Sequence, residues 1–306
     1  MNLLHLKYAV EVAKTGSINK AAETLLIAQP NLSRSIKELE QDLGIKIFER
    51  TARGMFLTPD GEEFIGHANA ILSKVEDVEN MYKNNVPIKR RFSVSVPRAA
   101  YISDAFAHFS GEITPGAVEI FYKETNSSRT IKNLLYDDYK LGIVRYAEPY
   151  EKYFLSMFEE KGFAYEKVSE FRYVLVMRAD SPLAGLSEIR FRDLDELTEI
   201  AHADPYVPSL SAAQVKKEEL PDNVKRRIFV FERGSQLDIL SENKDTFMWV
   251  SPTPEKTLDR YGLVQRECAD NKRIYKDVLV YKKDYTLTEL DKKFIEELYR
   301  SRKKYL

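Results

Sequence analysis

The sequence predicts an α/β protein in three parts: a small, mainly helical N-terminal unit, one long helix, and a bilobal α/β unit that makes up the rest. Three observations lead there. Through residues 3–43 apolar side chains recur at three- and four-residue steps, the spacing that lines one face of a helix. A single amphipathic stripe then runs unbroken across 59–87. From Arg91 onward short apolar strands alternate with helical stretches, the texture of α/β architecture. The expected boundaries are 1–58, 59–87 and 88–306, with a first lobe at about 91–162 and 269–306 and a second at about 163–268.

Composition fits this division and removes several functional classes. With 306 residues, 43% hydrophobic and 31% charged, the chain is of ordinary globular composition and long enough for two or three cooperating units. Its one cysteine, Cys268, excludes an intrachain disulfide framework and a multi-thiolate zinc site, and reads as a small buried hydrophobe in a reducing compartment. His5, Lys7 and Glu11 interrupt the apolar N-terminus, so a secretory signal is not expected there. No other run approaches a membrane span, and a cytoplasmic location is expected. The net charge of −1 argues against non-specific coating of nucleic acid. Its distribution is uneven: residues 1–58 carry eight Lys and Arg against six acids, and residues 59–87 carry two against six. Arg34, Lys37, Lys46, Arg50 and Arg53 make up the local basic cluster, which reads as a solvated face or a nucleic-acid footprint.

Leu3, Leu6, Val10 and Ala13 predict a first helix that stops at Gly16. Ser17 can cap a second, Ile18 to about Leu25, in which Ala21 and Ala22 permit close approach of a crossing helix. The turn Leu26-Ile27-Ala28 leads into a third helix over 29–43. There Leu32, Ile36, Leu39 and Leu43 share a buried face, while Asn31, Ser33, Arg34 and Lys37 point elsewhere. Pro30 suits its first turn and Gly44 its end. Two short helices joined by a tight turn, the second with a polar exposed N-terminal half, is the layout of a helix-turn-helix, whose second helix enters the major groove.

Beyond Gly44, Ile45 and Ile47 on one side and Met55 on the other flank Arg50–Gly54, which predicts a two-stranded wing with a basic tip. Arg50 and Arg53 would hold phosphates there, or stand as solvated arginines in a turn. Thr58, Pro59 and Asp60 form a strong helix start. The apolar stripe from Phe64 to Tyr82 makes a helix of roughly 40 Å at ~1.5 Å per residue. Such a stripe is best covered by the same helix of a second subunit, which predicts a homodimer through 59–87; packing on the C-terminal part is the alternative.

The run from Leu6 to Leu72, with GSINKAAETL, AQPNLSRSIKELEQDLGIKIFER and LTPDGEEF, resembles the winged helix-turn-helix and linker helix of the LysR-type transcriptional regulators. The resemblance implies DNA-reading roles for Gln29, Pro30, Ser33 and Arg34, wing positions for Arg50 and Arg53, and a dimerising helix from Thr58-Pro59; on the same polar side Asn31 offers an amide at a base-facing position and Lys37 reads as a phosphate contact. Ala28 stands where the family often has Ser or Thr, and Asn31 where it often has Ala. The resemblance also implies a C-terminal effector-binding domain of two lobes hinged round a cleft, similar to periplasmic binding proteins. MRADSPLAG, DLDELTEI and the terminal LVYKKDYTLTELDKKFIEEL match its recurrent stretches, whereas FMWVSP replaces a Gly-rich turn.

Within 88–306 the expected strands are RFSVSVP, AVEIFY, KLGIVRY, FRYVLVM, the stretch around Glu199–Ala203, RIFVFE, FMWVSP and DVLVYK. Ligands in open parallel sheets sit beyond the carboxyl ends of strands. That rule selects Pro97 and Arg98, then Thr125, Asn126, Ser127 and Ser128, then Arg145 and Tyr146, with His202 and Trp249 facing them from the other lobe. Arg98 and Arg145 suggest a carboxylate or phosphate ligand, the alternative being a surface or salt-bridging role. An enzyme is the competing class. Yet the four histidines fall in no metal-ligand or triad pattern, and HExxH, a P-loop, GxGxxG and GxSxG are all missing. The reading is a regulator without a cofactor or metal. As a homodimer or homotetramer it would bind a roughly palindromic double-stranded operator, respond to a small-molecule effector, and alter how the DNA meets RNA polymerase. A bilobal binding protein without a regulatory role is the remaining alternative.

Overall fold

The computed structural model describes residues 1–51, 54–83, 90–204 and 224–306. Two compact units result, residues 1–91 with 116–119 and 132–139, and the remainder. The wing-tip Arg53 and the linker end at 84–87 lie outside the described residues, as do the side chains of Arg50, Met81 and Tyr82.

The N-terminal unit is built from α1 (Leu3–Thr15), α2 (Ile18–Thr24), α3 (Gln29–Leu43), the antiparallel pair β1 (Phe48–Thr51) and β2 (Gly54–Leu57), and α4 (Pro59–Lys83). Ser17 caps α2 by accepting from the Lys20 N–H. Leu32, Ile36 and Leu39 of α3 join Ala9, Val12, Ile18, Ala21, Ala22 and Ile47 in one apolar core. The face of α1 differs from the expected one. Leu6, Ala9 and Val12 are the buried positions, and Leu3 is exposed, because the helix begins only at Leu3 and that first turn projects past the core.

Gly44 ends α3 in a left-handed conformation, φ 70°, that glycine takes without steric cost. Gly61 serves packing instead: a Cβ there would fall 2.0 Å from the Ile47 carbonyl oxygen, so α4 can press against the wing only with no side chain at that point. Where a glycine is frequent in such turns, this chain has Leu26, held at φ 54° and 92% exposed.

From Arg90 onward the chain forms two five-stranded sheets. The first, in the order β4 (Val118–Glu124), β3 (Arg90–Val96), β5 (Leu141–Ala147), β12 (Ile274–Lys282), β6 (Phe163–Arg172), is accompanied by α5 (Ala100–Gly111), α6 (Ser127–Tyr136), α7 (Glu151–Glu160) and α10 (Glu289–Tyr305). Phe92, Phe109 and Phe294, with ring centroids 4.6–5.8 Å apart, bind this sheet to α5 and α10. The second sheet runs β11 (Leu263–Arg266), β7 (Val174–Arg178), β10 (Thr246–Val250), β8 (Thr198–His202), β9 (Arg226–Val230), with α8 (Arg233–Glu242) and α9 (Glu255–Tyr261). Along β10, Phe247 and Trp249 enter one core and Met248 and Val250 the other, the two-residue alternation of a strand covered on both faces.

Both sheets are mixed, where strand–helix alternation had suggested parallel ones. β3 and β5 are parallel, as are β8 with β9 and β10, but β12 enters antiparallel between β5 and β6, and β7 lies antiparallel to β10 and β11. The reason is the route: β12 returns from the other lobe and not through a helical crossover. FRYVLVM, read as one strand, is two. Phe171 and Arg172 close β6 in the first sheet, and Val174 opens β7 in the second. The lobe boundary expected at 163 therefore falls at Tyr173, and the return crossing lies between Arg266 and Ile274. Asn271 joins the two crossings by donating from Nδ2 to the Tyr173 carbonyl at 2.9 Å. Tyr173 also stacks on Tyr275 at 4.1 Å.

Candidate functional site

The first candidate surface is the N-terminal half of α3. Pro30, Asn31, Arg34 and Lys37 are exposed, Gln29 and Ser33 half-buried, and the opposite face is core. Arg34 keeps 81% of its side chain in solvent while its Nε lies 2.8 Å from Glu38 Oε1, one turn on. Such a pair on a helix surface holds the guanidinium loosely, at a few tenths of a kcal/mol. Ala28 offers no side-chain cap, so the first turn of α3 has no hydroxyl closing it off.

The wing is tied to α3 by a residue that periodicity does not flag. Glu40, 8% exposed, accepts from the Ile47 and Phe48 N–H groups at 2.8 and 3.1 Å and from Lys46 Nζ at 2.9 Å. Burial works against its charge, but these three donors outweigh it and hold the carboxyl below its ordinary range. A carboxylate thus fixes where β1 leaves α3. Lys46, counted above among the basic cluster, is partly neutralised by it. The backbone of Arg50 pairs with Met55 in the wing.

The linker helix starts as expected, with the Gly61 N–H donating to Thr58 Oγ1 at 2.9 Å. Ile65 and Ala68 are buried, whereas Ile71 and Val78, further along the same stripe, are 41% and 48% exposed.

The second candidate site lies between the two lobes, and the sequence-selected residues divide there. Arg98 and Asn126 of the first lobe converge on Asp204 of the second: Arg98 Nη1 is 2.8 Å from Asp204 Oδ1, and Asn126 Nδ2 donates to the Asp204 carbonyl at 3.1 Å. His202, at the end of β8, has its Nδ1 2.9 Å from Gln236 Nε2. Burial, reinforced by Arg98, pushes its pKa down to about 3, so the imidazole is neutral near pH 7. Arg233, the first residue of α8, reaches back to Ser103 Oγ at 2.8 Å and Glu124 Oε1 at 3.1 Å.

Arg145, Ser127 and Trp249 are used elsewhere. Arg145 forms a two-pronged pair with Asp277, Nε to Oδ1 and Nη2 to Oδ2 both at 2.7 Å, beneath the rings of Phe171 and Tyr173. Tyr101 also donates its hydroxyl to Asp277. Burial opposes the Arg145 charge, yet Asp277 raises its pKa well above the ordinary value. It takes the salt-bridging role, not that of a ligand-facing arginine. The Ser127 hydroxyl accepts from the Arg145 N–H and donates to the Arg145 carbonyl, pinning α6 to β5. Trp249 packs edge-on to Phe191 at 6.3 Å, against the second lobe's core. Pro97 and Thr125 are buried, the Thr125 N–H donating to the Val96 carbonyl at 2.8 Å; Ser128 is half-buried; Tyr146 stacks on Phe154 at 4.7 Å.

Sequence reasoning missed Glu40, Asp204, Glu124, Arg233 and Asp277. Of these only Asp277 left a trace, as an acid opening the otherwise apolar DVLVYK. Among the described residues no cluster of three or more His, Cys, Asp or Glu is placed to hold a metal, and no helix is long and apolar enough to cross a membrane.

Residues 3–62 match the family model described as bacterial regulatory helix-turn-helix protein, lysR family. The chain is 40% identical over 94 residues to the HTH-type transcriptional regulator BenM of Acinetobacter baylyi, covering 31% of each. With the HTH-type transcriptional regulator PcaQ of Agrobacterium fabrum it shares 30% over 189 residues, 60% of this chain and 58% of that one. The matched stretch thus spans about a third of the length of the first of these relatives and little more than half of the second. Among solved structures, full-length CbnR complexed with its target DNA superposes at a TM-score of 0.57, with 18% identity, over 98% of this chain and 100% of that one. A cysteine-to-aspartate variant of full-length OxyR from Pseudomonas aeruginosa gives 0.54, with 16% identity, over 100% and 95%. At these identities the structural likeness speaks for the fold.

Proposed function

We propose that the chain is a regulator of the lysR family whose helix-turn-helix model it matches: a sequence-specific DNA-binding transcriptional regulator, cytoplasmic, controlled by a small molecule held between the C-terminal lobes. The observation that carries this reading is the two-sidedness of α3. One face is closed core, and the other offers Pro30, Asn31, Arg34 and Lys37 to solvent from a helix with an uncapped first turn. Gln29, Asn31, Ser33 and Arg34 read base edges; Lys37 and the wing arginines Arg50 and Arg53 hold phosphates. The exposed Ile71 and Val78 of α4 pair with the same helix of a second subunit, bringing two copies of α3 to a roughly palindromic operator as a dimer or tetramer. The relatives named above are regulators, and no catalytic role is assigned.

A gel shift with the full chain and its own upstream intergenic DNA tests the reading. Retardation at low salt is expected, and Arg34→Ala lowers affinity about tenfold or more, the 1–3 kcal/mol of one base contact. Folded protein that retards no DNA at low salt refutes it. Ile71→Asp with Val78→Asp should shift sedimentation toward the monomer; an unchanged coefficient refutes pairing through α4.

A further inference from the structure

We propose that the site between the lobes is built for a zwitterion, a small molecule carrying a carboxylate and an ammonium close together, as an α-amino acid does. The inference rests on the effector reading above and concerns the chemistry of the ligand. Three ion pairs cross from lobe to lobe among the described residues: Arg98 with Asp204, Glu124 with Arg233, and Asp104 with Lys256. The last two adjoin, since Arg233 also donates to Ser103, the neighbour of Asp104, and Glu124 stands two residues before Asn126, which donates to the Asp204 carbonyl. The first two pairs are well shielded, with side-chain exposures of 13% and 14%, then 21% and 20%. Within these three pairs, among the described residues, cations and anions are therefore balanced.

That balance selects the ligand. A molecule entering between the lobes at Asp204 has to part it from Arg98, leaving two opposite charges short of water. A plain carboxylate restores a partner to Arg98 but sets a second negative charge beside Asp204. A plain amine does the reverse. Either leaves a buried charge uncompensated, the costly outcome for an ion pair broken from one side. A zwitterion gives each charge a new partner, carboxylate to Arg98 and ammonium to Asp204, with Glu124 and Arg233 next in line. The amide of Asn126, which now donates to Asp204, can turn to the ligand's carboxylate. His202 cannot stand in for a cation, because its ring is neutral there. Arg145, the other arginine that suggested an anionic ligand, is already matched by Asp277.

The test uses the full-length protein. Thermal shift is run with each of the twenty proteinogenic L-amino acids, its 2-hydroxy acid and its decarboxylated amine. At least one amino acid is expected to raise the melting temperature by about 2 °C or more at millimolar concentration. Its hydroxy acid and amine should bind about tenfold more weakly or worse in calorimetry. Arg98→Ala and Asp204→Asn should each weaken the amino acid about tenfold or more, and Asp204→Asn should move the preference toward the hydroxy acid. Asn is nearly isosteric with Asp, so that variant carries the test if Arg98→Ala does not fold. No shift with any amino acid, or a hydroxy acid or amine binding as tightly as its amino acid, overturns the proposal. If the same protein still retards its DNA, the zwitterion has failed and the regulator reading stands. Loss of retardation counts against the latter alone.

Discussion

The helix-turn-helix and the two-lobed unit spend their charged residues differently. Around α3 nearly all charge faces water, and a single buried carboxylate, Glu40, is satisfied by groups six to eight residues away. In the lobes the decisive charges are shielded and their partners lie far along the chain: Arg145 and Asp277 are 132 residues apart. The first arrangement leaves side chains free for an outside partner, at little cost in stability. The second makes charge a part of the architecture, so that a ligand or a proton acts on the fold itself.

The comparison breaks most directly at Asp277. Asp277→Ala strands the Arg145 guanidinium and should destabilise the C-terminal unit by about 3–5 kcal/mol in urea denaturation. A loss comparable to that of an exposed charge such as Arg34 would erase the distinction. Next in size is Glu40→Ala, which leaves two buried N–H groups without an acceptor and should cost the N-terminal unit about 2–3 kcal/mol, read by proteolysis or hydrogen exchange in the wing.

Acid sharpens the contrast further. Since the folded pKa of His202 lies at about 3, below its ordinary value, the unfolded chain takes up the proton first. Its effect is nil above about pH 6.5 and grows as pH falls toward 3, at about 1.4 kcal/mol per pH unit. Between pH 6.5 and 5 the C-terminal unit should lose about 2 kcal/mol through this group, and His202→Gln should flatten that slope. A variant with the parent's slope would show that the imidazole is not the group being protonated. The smallest effect is favourable. Leu26→Gly relieves a left-handed backbone and gives up little contact, so it should stabilise the N-terminal unit by up to about 1 kcal/mol in thermal unfolding; a lower melting temperature would show that the exposed leucine packs in solution.

The same contrast explains what could be read in advance. The helix-turn-helix is local: Leu32, Ile36 and Leu39 declare their face through spacing, and Ser17, Pro30 and Gly44 mark ends that the structure keeps. In the lobes, spacing located most strands. It could not see that FRYVLVM changes sheets at Tyr173, because both halves are equally apolar and only their partners differ. Nor could it choose between Arg98 and Arg145, both arginines just past or within a strand. One faces the neighbouring lobe and the other is bound within its own sheet, a difference decided by Asp204 and Asp277, which lie more than a hundred residues further on. β6 and β11 went unread for a simpler reason. β6 sits at the edge of its sheet and alternates with charge, and β11 is four residues long.

The side-by-side crossings at Tyr173 and Asn271 bear on how the lobes can move. One connecting strand would act as a swivel, free to twist as well as bend. Two strands tied by the Asn271 amide and the Tyr173–Tyr275 stack define a line, and rotation about a line is the only large motion that leaves both bonds intact. An occupant of the space between the lobes would therefore act through rotation about that one line.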